Sequence, residues 1–177
     1  MTEATLAPDL NLNAINALDL DDFIAEFGSI FEHSPWVAEG AWAARPFASI
    51  DVLHGAMIGV VRSAPRATQI AFLCGHPELA GKEAEAGTMT TESVGEQASA
   101  GLNALSKGEI GELRELNARY LDRHGFPFIV AVRRYSKREI FEQLGERIER
   151  DSDTELNEAL SQIGTITRLR VQAKVSA

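Results

Sequence analysis

Apolar residues recur at intervals of three and four along most of this chain, and no other feature limits its possible folds as strongly. Between residues 49 and 65 the repeat includes Leu53, Met57 and Val60, and residues 107–123 show the same pattern. This spacing places the apolar side chains on one face of an α-helix, and that face must be buried against another element. The pattern therefore predicts a helical protein.

One segment interrupts the helical pattern. Residues 127–132, PFIVAV, are continuously apolar and follow Gly125 and Phe126. A short apolar run of this kind is either a buried extended segment or the start of another helix. Because no other run offers a strand to pair with it, we expect an extended connection through a helical core. The predicted fold is all-α: a single compact domain of about eight helices over residues 18–177, preceded by a loosely ordered leader at residues 1–17.

Local sequence signals mark where individual helices begin. Ser34 precedes Pro35, a combination typical of an N-cap followed by the first helical residue. Residues 136–139 and 152–155 each begin with Ser and end with Glu, which is the spacing of a capping box. Residues 82–88 are polar and contain a glycine, so we expect them to form a loop. These signals predict the starts of three helices and the position of one loop.

Charge and cysteine content exclude several classes of protein. The chain has 26 acidic and 17 basic residues, a net charge of −9, which disfavours nucleic acid and anionic membrane surfaces as partners. No apolar run approaches the roughly 20 residues of a membrane span. The acidic N-terminus lacks the basic and apolar segments of a secretory signal. Because the one cysteine, Cys74, cannot form an intramolecular disulfide, we expect a cytoplasmic protein in a reducing compartment.

Polar side chains suited to acid–base chemistry lie close together in the sequence. His76 titrates near neutral pH, and Pro77 keeps the backbone before it extended, which fixes the histidine at a helix end. Ser93, Glu96 and Gln97 stand at i, i+3 and i+4, so they project from one helix face. Together these side chains indicate an acid–base site for a small polar ligand.

Each of these residues also has a purely structural interpretation. His76 could cap a helix or lie in the core. Ser93 and Glu96 have the spacing of a capping box, which satisfies helix N–H groups and nothing else. Against that interpretation, Thr90 and Thr91 are also available as caps, and a capping box does not require the amide that follows Glu96. Spacing alone leaves both interpretations open.

Other chemical roles find less support in the sequence. Cys74 lies two residues before His76, but no third group is evident to orient a nucleophilic pair and apolar residues precede it. We therefore expect Cys74 to be a buried structural thiol. His33, His54 and His124 do not have the spacing of metal ligands, so we predict no metal site.

Six sequence blocks together resemble a known family. They are HSPWVAEGAW (33–42), RPF (45–47), GHPELAGK (75–82), TESVGEQASAGL (91–102), LNARYLDRHGFPFIVAVR (116–133) and TITRLR (165–170). In this order they resemble the 2-oxo-4-hydroxy-4-carboxy-5-ureidoimidazoline (OHCU) decarboxylase family of urate degradation. The resemblance runs from about residue 19 to residue 171, where this chain has Val171 and the family usually has leucine.

The resemblance implies a catalytic role for His76 and Glu96. It assigns contacts with the substrate to Pro77, Ser93, Gln97, Phe128, Ile129, Val130, Ala131, Val132 and Arg170. The planar guanidinium of Arg170 suits a carboxylate or ureido group, whereas Arg168 points elsewhere on the same helix. From the residues alone, Arg170 has the alternative interpretation of a solvated charge or a helix-dipole partner. From the residues alone, residues 128–132 could instead be plain core packing.

The resemblance also implies what the protein does. The expected reaction converts OHCU to (S)-allantoin and carbon dioxide without a cofactor, in a homodimer. Two other classes stay consistent with the residues: a binding module for a purine-like metabolite, and a helical interaction protein whose Trp36 and Trp42 mark a partner surface. Catalytic turnover separates the first class from an enzyme, and a partner-dependent loss of tryptophan fluorescence would favour the second.

Overall fold

Ten α-helices make up most of the computed structural model, which describes residues 10–175. They are α1 (Leu12–Ala17), α2 (Leu20–Phe27), α3 (Trp36–Trp42), α4 (Ile50–Ser63), α5 (Arg66–Cys74), α6 (Lys82–Ala86), α7 (Thr91–Ser99), α8 (Lys107–His124), α9 (Lys137–Ile148) and α10 (Ser152–Lys174). Short 3₁₀ turns occur at Leu102–Ala104 and Val132–Arg134. Residues 10–175 contain no β-strand, so the predicted all-α class is confirmed. None of the helices in this range is both long and apolar enough to cross a bilayer.

Two of these helices lie where the sequence does not predict a helix. α1 falls within the predicted leader, yet its Ile15 is fully buried and its Asn16 side chain exchanges two hydrogen bonds with the backbone of Phe47. α6 occupies residues predicted to form a polar loop. Both helices are too short to show a repeating apolar pattern. Residues 1–9 lie outside the described part of the chain, and the domain boundaries at 18–177 stay a prediction.

Of the three helix starts predicted from capping signals, one is confirmed and two are wrong. α9 begins with the predicted capping box, in which the side chains of Ser136 and Glu139 each accept a hydrogen bond from the other's N–H. The predicted cap at Ser34 is wrong, because its hydroxyl donates to the Glu32 carbonyl. The predicted capping box at 152–155 is wrong as well, because the carboxylate of Asp151 accepts the N–H groups at the start of α10.

The helices form two compact units. The first comprises the described residues up to Ser63 and those from Thr167 onward. In this unit α3 packs against both α2 and α4. Gly40 of α3 approaches α4 so closely that a Cβ atom there would lie 2.9 Å from Val60. The buried core of the unit includes Ile15, Phe23, Phe27, Phe31, Val37, Phe47, Leu53, Met57 and Val61.

The second unit, Ala64–Ile166, holds α5 to α9 and the first part of α10. Its longest complete helix, α8, packs against α9 and ends at Gly125, which has the left-handed φ of 80° that stops a helix. The chain then passes through buried residues 127–131 without helix or strand, and the 3₁₀ turn begins at Val132. We refer to residues 127–131 as the extended segment. The predicted connection is therefore present, but it ends one residue earlier than expected.

Candidate active site

The second unit contains a cleft that brings together most of the predicted site residues. The cleft is lined by His76, Pro77, Leu79, Ser93, Glu96, Gln97, Phe128, Ile129, Val130, Val132 and Ile166. It has a volume of about 300 Å³, which includes its open mouth. The turn after α5, the buried face of α7 and the extended segment supply most of these residues, although they are far apart in the sequence. Both predicted catalytic residues, His76 and Glu96, line the same cleft.

The end of α5 positions His76. Its N–H donates to the carbonyl of Leu73 at 3.0 Å, which closes the last turn of the helix. Pro77 follows, and because proline has no N–H and restricts the residue before it, the helix cannot continue. Pro77 is buried, whereas His76 is partly exposed. The imidazole therefore lines the cleft in an environment where it can still exchange protons with solvent.

The cap of α7 decides between the two interpretations of Ser93 and Glu96. The side chain of Thr90 accepts the N–H of Ser93 at 3.4 Å, so Thr90 is the N-cap and the capping box at Ser93 and Glu96 is excluded. Ser93, Glu96 and Gln97 are 2%, 8% and 8% exposed, respectively. A helix face built of polar side chains is thus buried against the cleft. Core packing alone would favour apolar residues at these positions.

The amide of Gln97 is largely engaged by the protein. Its oxygen accepts the N–H of Ala80 at 2.9 Å, and its nitrogen donates to the carbonyl of Glu78 at 3.3 Å. Ala80 has a φ of 46°, in the left-handed region that non-glycine residues rarely occupy. Gln97 therefore holds the turn that follows Pro77 in a strained conformation. Its predicted contact with a substrate stays a prediction.

Three residues of this site were not predicted from the sequence, and one of them is Ile166, which lines the cleft. Leu79 lines the cleft, and its carbonyl accepts a hydrogen bond at 3.2 Å from the buried amide of Asn117 on α8. Asn117 lies on the same helix face as the buried Leu113 and Tyr120. A polar residue on an otherwise apolar helix face indicates a side chain that binds another part of the chain, and this pattern could have identified Asn117.

The extended segment contributes most, but not all, of its predicted residues to the cleft. Phe128, Ile129 and Val130 line it, as does Val132 in the following turn. Ala131 is not among the lining residues, and its N–H donates to the side-chain oxygen of Gln162 at 2.9 Å. Its predicted substrate contact therefore receives no support from the shape of the cleft.

Arg170 lies in the first unit, where it is buried rather than solvated. Its guanidinium donates to the carbonyl of Ile30 at 3.0 Å and pairs with the buried carboxylate of Glu32 at 3.4 Å. Arg168 instead forms an exposed ion pair with Asp51 at 2.8 Å. The expectation that the two arginines point in different directions is therefore confirmed, and the interpretation of Arg170 as a solvated charge is wrong.

The prediction of a buried thiol at Cys74 is wrong. Cys74 is exposed, and its sulfur lies 3.5 Å from the carbonyl of Gly125. Partial shielding by neighbouring atoms raises the pKa of the thiol, which disfavours the thiolate that a nucleophile would need. Among the described residues no group of three or more His, Cys, Asp or Glu side chains is placed to hold a metal ion.

Comparison with known proteins relates most of the chain to one family. The sequence model of the OHCU decarboxylase family matches residues 16–172. The chain is 41% identical over 169 residues to the OHCU decarboxylase of Haloferax volcanii, covering 96% of this chain and 98% of that protein. It is 36% identical over 162 residues to the OHCU decarboxylase of Xenopus laevis, covering 92% and 93% of the two chains.

A solved structure shows the same fold. The crystal structure of (S)-allantoin synthase superimposes with a TM-score of 0.73 at 26% sequence identity, over 94% of this chain. The match covers 54% of the synthase, so this chain spans about half of its length. The likeness therefore concerns one part of that longer protein.

Proposed function

The chain belongs to the OHCU decarboxylase family, and from this premise we propose how it converts OHCU to (S)-allantoin and carbon dioxide. Its function is the decarboxylation of OHCU in urate degradation, which makes it a carboxy-lyase. In the proposed mechanism His76 and Glu96 handle the protons, and the other lining residues of the cleft orient the substrate. The single observation that supports these roles most strongly is that His76 and Glu96, from different elements, line one cleft.

The substrate itself provides the electron sink for the reaction. OHCU carries a carboxylate and a hydroxyl on one ring carbon, next to an imine carbon. When the bond to the carboxylate breaks, its electron pair forms a double bond between the two ring carbons, and the imine nitrogen accepts the electrons displaced there. Carbon dioxide leaves. The former imine nitrogen takes up one proton to become N–H. The hydroxyl loses its proton to become the ring carbonyl, and the neighbouring carbon gains a proton to give allantoin, so the reaction consumes one proton overall. No cofactor is needed for this balance.

The protein contributes orientation, a low-dielectric environment and a directed proton. Glu96 is only 8% exposed, and in such surroundings charged and polar groups act on a substrate more strongly than in water. We assign it, together with His76, to polarising the substrate hydroxyl and delivering the proton to the neighbouring carbon. Delivery from one face gives a single enantiomer. Ser93 and the backbone of the extended segment hold the heterocycle.

Arg170 is proposed to bind the anionic groups of the substrate. Its planar guanidinium can form two parallel hydrogen bonds with a carboxylate or with a ureido group, which a lysine cannot do. Glu32 pairs with one of its nitrogens and fixes the orientation of the side chain. An arginine is also the natural counter-charge for an anionic substrate in a chain whose net charge is −9.

We further propose a cytoplasmic homodimer without nucleic-acid or membrane partners. The single cysteine suits a reducing compartment, and the acidic composition disfavours polyanionic partners. Sedimentation of the purified protein would test the oligomeric state. A monomer at micromolar concentration would contradict the dimer without affecting the proposed chemistry.

The decisive test is stereospecific turnover. OHCU is generated in situ from urate by enzymatic oxidation and hydrolysis, and circular dichroism follows the optically active allantoin. We expect the wild-type protein to accelerate its formation and His76→Ala to abolish the acceleration, with helicity and melting temperature nearly unchanged. Wild-type rates in His76→Ala would exclude its catalytic role. A large loss of stability with partial activity would favour a structural role instead.

A further inference from the structure

A buried ion pair that the proposed chemistry does not use lies next to the extended segment. Nε of Arg147 on α9 is 2.9 Å from Oε2 of Glu155 on α10, and both side chains are completely buried. The hydroxyl of Tyr120 on α8 donates to the same carboxylate oxygen at 2.6 Å. Three helices of the second unit therefore meet at one carboxylate.

Arg147 also reaches the backbone of the cleft. Its Nη1 donates to the carbonyl of Ile129 at 2.9 Å, and its guanidinium carbon lies 4.6 Å from the centre of the Phe128 ring. The Phe128 ring in turn packs edge-on against Tyr120, with ring centres 5.4 Å apart. Arg147 thus contacts the carbonyl of Ile129 and the ring of Phe128, two residues that line the cleft, while it pairs with Glu155.

Stability alone does not account for an arginine at this position. A buried ion pair can often be replaced by apolar side chains of similar volume with no loss of stability, because removing two charges from water costs about as much as their attraction returns. Here the Nη2 atom of Arg147 is also buried without a hydrogen-bond partner among the described residues. Such a buried, unpaired donor adds a further cost. The arrangement therefore suggests a role other than stabilisation.

A second contact holds the backbone of the segment two residues further along. The side-chain oxygen of Gln162 on α10 accepts the N–H of Ala131 at 2.9 Å. In an extended chain successive residues direct their peptide groups to opposite sides. In this geometry the Ile129 carbonyl and the Ala131 N–H point to one side, and the peptide groups of Phe128 and Val130, which line the cleft, point to the other.

We propose that Arg147 is a positioning residue for the decarboxylation, and that its ion pair with Glu155 fixes the backbone of Phe128, Ile129 and Val130 at the geometry that holds the heterocycle. The inference rests on the proposed function. These backbone contacts bind the ring throughout the reaction, so their loss weakens substrate and transition state alike. Such a loss raises KM and leaves kcat nearly unchanged.

The test is the double variant Arg147→Met/Glu155→Leu, which removes both charges and keeps apolar bulk. We expect a folded protein with a melting temperature close to that of the wild type. Its KM for OHCU should rise ~10-fold or more, the change in affinity expected when one or two hydrogen bonds to the ring are no longer made. Arg150→Met is the matched control: it removes the half-exposed partner of Glu155, 3.4 Å away, and should leave KM unchanged.

Two results of this experiment would overturn the proposed role of Arg147. A folded double variant with wild-type KM overturns it, and so does a double variant that fails to fold, because the ion pair would then serve stability. Arg147→Lys provides a second measurement: the ammonium keeps the charge opposite Glu155 but cannot also hold Ile129, so KM should rise here too. Wild-type KM in this variant contradicts the inference. Absence of turnover in the wild-type protein would instead refute the proposed function.

Discussion

At the scale of single residues, Glu96 separates a chemical role from a structural one. Thr90 already caps α7, so Glu96→Gln removes a charge without removing a cap. We expect turnover to fall ~10²–10⁴-fold, the contribution typical of a positioned acid–base group. The melting temperature should stay nearly constant. The circular dichroism assay of allantoin formation measures the rate, and thermal unfolding measures the stability.

The matched control for this prediction is Glu92→Gln. It makes the same change on the same helix, at a position that does not line the cleft. Its turnover should equal that of the wild type. Near-normal activity in Glu96→Gln, or an equal loss in both variants, would contradict an acid–base role for Glu96.

The two arginines of α10 differ in what their removal should do to stability. Arg170→Met removes the guanidinium that pairs with the buried carboxylate of Glu32, and we expect a loss of about 3–5 kcal/mol in the free energy of unfolding. Arg168→Met breaks only an exposed pair with Asp51 and should cost ~1 kcal/mol or less. Urea denaturation of both variants measures the difference.

The substrate contact of Arg170 needs a separate variant, because lost stability could be mistaken for lost binding. Arg170→Lys keeps the positive charge beside Glu32 but loses the planar guanidinium, so KM for OHCU should rise markedly while the protein stays folded. Arg168→Lys should change neither quantity. The reverse ranking of the two lysine variants would show that the wrong arginine has been assigned to the substrate.

At the scale of elements, Glu109 links the start of α8 to α9. Hydrogen bonds from Lys137 and from Ser106 lower the pKa of Glu109 to about 2, well below its usual value. The ionised carboxylate thus stabilises the folded state above the unfolded pKa of about 4.5, and this contribution is lost as pH falls toward 2. Glu109→Gln should therefore be less stable than wild type at pH 7, and the difference should close between pH 4.5 and 2.

Chemical denaturation at a series of pH values measures this effect. Glu112→Gln is the control: it removes a charge from an exposed position of the same helix that has no part in the capping box. The stability difference between wild type and Glu112→Gln should stay small at every pH. A constant difference for Glu109→Gln down to pH 2 would show that the ionised carboxylate does not contribute as described.

At the scale of the whole molecule, the reaction should need only the polypeptide. Protein dialysed extensively against a chelator, with no nucleotide, flavin or pyridoxal phosphate added, should still accelerate the formation of optically active allantoin. The physical reason is that the imine of the substrate accepts the electrons of decarboxylation, while the cleft supplies orientation and a directed proton. Dependence of the rate on an added metal ion or organic cofactor, or a racemic product, would contradict this mechanism.

Features that depend on neighbours in the sequence were predictable from the sequence alone. Apolar spacing determines the long helices, because a helix brings residues three and four apart onto one face. The Ser136 capping box is likewise local, since it involves residues within one turn. The family, and with it the choice of His76 and Glu96, followed from the order of the motifs.

Features that depend on distant segments were decided only by the tertiary structure. The spacing of Glu155 resembles a capping position, yet its carboxylate is buried against Arg147 and Tyr120. Cys74 follows an apolar run but is exposed, and Arg170 near the C-terminus is buried beside Glu32. A sequence pattern indicates which groups are present and which face they share. Burial and pairing depend on which groups from elsewhere in the chain approach that face, and only packing determines this.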